Sequence, residues 1–156
     1  TNKNQPIMKI ILDHKESENF FHTALCNVGG DFASCGLELD WSKKDYQAAK
    51  KSLEEKIAKN EVPHFVYYPE YKKRDGEKPT ICFEDVLLEI LVLGGKLKIK
   101  SDGYEECNRS ITLKDVHERV QKADTRWILE MHNESGDSTT AFEILQMVFF
   151  EKSIFG

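Results

Sequence analysis

Wound as a helix, the segment AFEILQMVFFEKS (residues 141–153) is apolar on nearly every side. Such a helix has to be enclosed by the rest of its own fold. The chain must therefore supply several elements that each cover one flank of it, which points to a globular domain with a central helix. The length of 156 residues suffices for one domain with a proper core, without disulfide or metal staples. No stretch approaches the roughly 18 apolar residues that span a bilayer.

Local patterns supply the surrounding elements. Ile7–Leu12 reads as a short strand closed by Asp13, and Glu18–Val28 as a helix with Phe20, Phe21, Ala24, Leu25 and Val28 on one face, stopped by Gly29-Gly30. Leu37 and Leu39 alternate with Glu38 and Asp40, which predicts a strand leading into Trp41. Ser42 with Asp45 is a capping-box pattern ahead of a helix with Tyr46, Ala49, Leu53 and Ile57 on its apolar face. His64–Tyr68 is rich in strand formers, and Tyr71–Pro79 reads as a polar loop. Thr80 opens an apolar helix through FEDVLLEILV, ended by Gly94-Gly95. Lys96–Lys100 alternates with period two, so Leu97 and Ile99 face inward, and a turn and a returning strand follow over residues 101–113. Thr112 with Asp115 is a second capping box, ahead of one amphipathic helix carrying Val116, Val120, Ala123, Trp127 and Met131. The order predicts a single α+β domain over residues 1–156, a small mixed or antiparallel sheet packed with four to five helices.

The chain carries 22 Lys and Arg against 27 Asp and Glu, a formal charge of −5. That balance disfavours a dedicated nucleic-acid binder and suits a protein that meets other proteins or small molecules, including a basic surface. The opening residues lack the apolar core of a signal peptide, which predicts a cytoplasmic protein whose four cysteines are reduced thiols. Cys82, in an apolar run, reads as a buried hydrophobe.

Several residue sets carry candidate chemistry. Tyr67, Tyr68 and Tyr71 with Lys72, Lys73 and Arg74, together with Lys96, Lys98 and Lys100, interleave rings and cations as a nucleotide or short nucleic-acid site does. The plainer reading is a solvated loop beside a lysine-guarded edge strand. Glu38 and Asp40, with Glu130 and Glu134, are the acids of a face that would meet a basic protein partner. His22 and Cys26 share a helix face, with His14 and Cys35 further along, but the short paired spacings of a zinc site are absent. Cys26 or Cys35 with a distant histidine, or Cys107 with His117, would form a nucleophile and base, with no local motif behind either pairing. The expectation is therefore no catalytic residue, no metal and no cofactor.

The ending DSTTAFEILQMVFFEKSIFG resembles that of small proteins encoded by phages, prophages and mobile elements, through Asp137, Gln146, Phe149, Phe150, Glu151, Phe155 and Gly156. ENFFHTALCNVGG resembles the early helix and glycine turn of the same group. The resemblance implies genomic context more than chemistry. It suits a small cytosolic accessory protein, a monomer or homodimer without membrane contact, that binds or inhibits a host protein complex. Nucleotide or nucleic-acid binding is the alternative. Ile154 and Phe155 are too apolar for a tail that waves in water, so they are expected to pack on the domain.

Overall fold

Side-chain caps set most of the helix starts in the computed structural model, which describes residues 9–155. Helix α1 spans His14–Val28. The Asp13 carboxylate accepts from the Glu16 N–H at 2.7 Å, and the Glu16 carboxylate accepts from the Asp13 N–H at 3.1 Å. This reciprocal cap starts the helix four residues before Glu18. Asp13 therefore opens a helix and does not close a strand. Ile7 and Met8 lie outside the described residues, and residues 9–12 pair with no strand among the described ones. The Leu12 N–H donates instead to Gln121 Oε1 at 3.0 Å.

A short helix α2 (Asp31–Ser34) leads to strand β1 (Leu37–Trp41) and helix α3 (Lys43–Ala58), where Ser42 Oγ accepts from the Asp45 N–H. Helices α4 (Glu70–Arg74) and α5 (Phe83–Val92) follow, then strands β2 (Leu97–Ser101) and β3 (Arg109–Ile111). The chain closes with α6 (Leu113–Arg119), α7 (Thr125–His132) and α8 (Ser138–Phe150). The fold is α+β: helices around one antiparallel sheet in the order β1-β2-β3.

Helix α8 occupies the centre, as its all-round apolar surface requires. It packs on α1, α7, α6 and β3. Ala141, Ile144, Leu145, Val148, Phe149 and Phe150 are buried, and Phe32 sits edge-on to Phe149 and Phe150 at centroid distances of 5.6 and 6.1 Å. Each fully buried Leu or Phe contributes about 1.5–3 kcal/mol. The helix ends at Phe150 because Glu151 turns left-handed at φ 61°. Arg119 of α6 donates to the Val148 carbonyl at 2.9 Å, placing a cation at the negative end of the helix. Beyond it the chain folds back. Gln146, fully buried, accepts at Oε1 from the Ile154 and Phe155 N–H groups, both at 2.8 Å, and donates from Nε2 to the Phe155 carbonyl at 3.1 Å. Ile154 and Phe155 pack against the core cluster, so the tail rests on its own domain. Gly156 lies outside the described residues.

Several sequence expectations give way to tertiary context. His64–Tyr68 forms a turn, not a strand: Phe65 and Val66, adjacent in sequence, are both buried, which a strand with one face in water does not allow. The stretch from Tyr71 is helical until Arg74 and becomes a turn only at Asp75-Gly76. Cys82, not Thr80, caps α5, and its N–H donates to Asp85 Oδ2 at 2.8 Å. That role leaves Cys82 exposed, and Cys107 is the buried thiol. The amphipathic run from Val116 to Met131 breaks into α6, a 3₁₀ turn at Val120–Lys122, and α7, which Asp124 caps afresh. The Lys96–Lys100 segment forms the central strand, not an edge.

Candidate binding cleft

Three elements leave a gap where they converge. The C-terminal end of α1 contributes Leu25, Gly29 and Gly30, β1 contributes Leu39 and Trp41, and α5 contributes Phe83, Glu84 and Leu87, around a cleft of about 240 Å³. Local chemistry explains the opening. Phe83 is the first residue of α5, directly after its cap, so its ring leaves the helix end toward β1 and remains 44% exposed. It stands edge-on to Trp41 at 5.1 Å, and Tyr46 of α3 lies 6.0 Å from Trp41 and 6.1 Å from Phe83. Trp41 also walls a second cleft of about 390 Å³ with Asp40, Ser42, Asp45, Lys96 and Lys98. Gly95, on the wall of that second cleft, packs too closely on its neighbours to carry a side chain. A Cβ there would lie 2.7 Å from Ile90 Cγ2 and 3.1 Å from Asp45 Oδ2.

On the flank of the apolar cleft, α1 and α5 bring a thiol, an imidazole and a carboxylate together. His22 Nε2 is 2.6 Å from Asp85 Oδ1, and Cys26 Sγ lies 3.8 Å from His22 Nδ1 and 4.0 Å from Nε2. The near-equal distances take the sulfur off the lone-pair axis of either nitrogen, the line a proton transfer needs. Partial loss of solvent around the exposed Cys26, followed by the charges of Glu84 and Asp85, pushes its thiol up to about 12. Cys26 is therefore a neutral thiol near neutral pH, and the thiolate that nucleophilic chemistry requires is suppressed. The other pairings are dispersed. His14 stacks on His117 at 3.8 Å, and Glu18 bridges His117 at 2.7 Å and His64 at 3.0 Å. Cys35 neighbours the buried Cys107. Among the described residues, no three His, Cys, Asp or Glu side chains are placed to hold a metal ion.

The ring-and-cation segment does come together, but on itself. Lys72 Nζ sits 5.9 Å from the Tyr67 ring and Lys73 Nζ 5.2 Å from the Tyr68 ring. Lys73 also pairs with Glu70 at 3.1 Å, and Tyr68 donates to the Glu77 carbonyl. Tyr67, Tyr71 and Arg74 stay exposed.

The lysine row and half of the acidic face meet directly: Glu38 lies opposite Lys100 and Asp40 opposite Lys98 on the outer face of the sheet. Lys100 Nζ is 2.9 Å from Asp40 Oδ2. This contact holds the Asp40 carboxyl below, and the Lys100 ammonium above, their ordinary ranges. Glu130 and Glu134 sit elsewhere, beside a cleft of about 400 Å³ between α1 and the α7–α8 turn, where Glu130 accepts from the Thr140 hydroxyl.

Phe83 and Leu87 belong to no motif in the sequence that marks them as site residues, and Glu84 and Asp85 read there only as two of many carboxylates, in the first turn of a helix. Asp85 lies 63 positions from His22, and no spacing rule joins them. An aromatic residue at the first position of a helix was the one available signal. Among the described residues, no helix is long and apolar enough to cross a membrane. No protein-family model, curated protein or solved structure matches the chain.

Proposed function

We propose that the protein works by binding another protein, and that the α1–β1–α5 cleft receives an apolar side chain of that partner. The exposed Phe83 ring beside Trp41, opening on a cleft with an apolar floor, carries this reading. Protein contacts concentrate their energy in such aromatic anchors and pockets. At about 240 Å³ the cleft is smaller than the roughly 300–1,000 Å³ of small-molecule sites, which favours a side chain over a cofactor. Glu84 stands half-buried at its rim with no ion-pair partner among the described residues, so a Lys or Arg next to the anchor fits. The raised thiol of Cys26 and the offset of its sulfur from the His22 nitrogens favour binding over cysteine chemistry. The host-directed accessory role implied by the resemblance is one form such binding would take.

Affinity capture with the full chain and two variants tests the reading. Phe83→Ser should release the dominant partner, and Tyr67→Ser, on the ring-and-cation segment, should retain it. A partner lost with Tyr67→Ser and kept with Phe83→Ser, or a bound compound with a nucleotide's ultraviolet spectrum, would overturn it in favour of nucleotide binding.

A further inference from the structure

The cleft adjoins a strand with one unpaired side. In the order β1-β2-β3, β1 is an edge. Among the described residues its only ladder is to β2, and no backbone–backbone hydrogen bond outside that ladder involves residues 37–41. An open row of N–H and C=O groups is a template for a further strand. On this edge, Leu39 and Trp41 turn toward the apolar cleft, and Glu38 and Asp40 lie on the outer face.

Resting on the binding reading above, we propose that the partner docks by strand addition: an extended segment pairs with the free edge of β1 as a fourth strand. Its inward side chains are aliphatic and enter the cleft beside Leu39, Trp41 and Phe83. Its outward side chains are basic and meet Glu38 and Asp40.

The sheet itself displays the complementary pattern. On the occupied side of β1, residues 96–100 read Lys-Leu-Lys-Ile-Lys. There Leu97 and Ile99 are buried, and Lys98 and Lys100 stand opposite Asp40 and Glu38. The same face-by-face chemistry holds on the open side, because alternate residues of β1 present the same side chains to both neighbours. Charge also argues against a second copy pairing β1 to β1. That arrangement would set the acids Glu38 and Asp40 against their own equivalents, and like charges across a ladder are destabilising. The charges of Glu38 and Asp40 thus favour, over a β1-to-β1 dimer, a segment of a different protein that alternates aliphatic and basic residues.

The probe is a synthetic peptide carrying Lys-Leu-Lys-Ile-Lys, titrated into the isotope-labelled full chain and followed by amide NMR. Saturable shifts at Glu38–Trp41 and slowed hydrogen exchange of the outward β1 amides are expected. A scrambled peptide with its lysines clustered should bind at least tenfold more weakly. N-methylation at alternate peptide residues removes backbone donors and leaves the side chains intact. One of the two alternating sets should abolish binding, and the other should leave it nearly unchanged. Glu38→Lys, with its fold checked by the same spectra, should weaken the basic peptide and strengthen a Glu-Leu-Glu-Ile-Glu counterpart.

Absence of shifts at residues 38–41, or equal binding of the scrambled peptide, overturns strand addition. If both N-methylated peptides bind as tightly as the parent and still shift Phe83 and Leu87, strand addition fails while the cleft reading stands. If the peptide shifts β1 amides and Phe83→Ser leaves its affinity unchanged, the edge binds without the cleft and the inference as stated fails.

Discussion

Replacing Gln146 with leucine tests how the C-terminal tail is held. The side chain is fully buried and makes three hydrogen bonds to the backbone of Ile154 and Phe155. Leucine keeps most of the volume and removes all three. A hydrogen bond contributes a net of about 0.5–1.5 kcal/mol, and a buried group left without a partner costs about 1–3 kcal/mol. Ile154 and Phe155 are only half-buried, so the freed backbone recovers some of that loss by turning to water. The expected destabilisation is about 2–4 kcal/mol in denaturant melts, with a fall in Tm of about 2–4 °C for each kcal/mol in a domain of this size.

Repeating the substitution in a chain lacking residues 154–156 isolates the cause. With its partners gone, the Gln146 amide is itself the unsatisfied group, so Gln146→Leu should there be neutral or stabilising. The same cost in the full and shortened chains would refute the reasoning, as would a loss below about 0.5 kcal/mol in the full chain.

Two further outcomes follow from the charges. With its thiol pushed from 9.0 to about 12, Cys26 should react with iodoacetamide near neutral pH about thirty- to sixtyfold more slowly than an unperturbed thiol, the smaller thiolate fraction being partly offset by the greater nucleophilicity of a more basic thiolate; mass spectrometry of the labelled peptide measures this, and an ordinary rate would contradict the electrostatic account. Asp137 caps α8, and the Thr140 backbone N–H holds its carboxyl below the ordinary range. A depressed carboxyl stabilises the fold fully above the unfolded aspartate range and loses that contribution as pH falls through the folded value, so the stability gap between the wild type and Asp137→Ala should be widest near neutral pH and narrow in acid; a constant gap would exclude the charged cap.

What the sequence alone determined about this protein is chiefly what depends on neighbours in the chain. The central placement of α8 follows from its apolar periphery, and the inward Leu97 and Ile99 from strict alternation. The Thr112–Asp115 box and the helix stop at Gly94 are likewise local, the latter resting on a φ of 92° that suits glycine. The α+β class and the docked Ile154 and Phe155 follow from the same patterns. Tertiary structure decided whatever required a partner distant in sequence. Residues 64–68 have strand composition but, among the described residues, no neighbouring strand to complete their hydrogen bonds, and composition alone cannot supply one. Lys98 and Lys100 looked like guards on an edge, yet long-range pairing put β3 on one side of β2 and β1 on the other, so their charge met Asp40 and Glu38. The same pairing left β1 with the free edge. The cleft beside it exists only because α1, β1 and α5 approach without closing, and the size of a gap between packed elements has no local signature in any of the three.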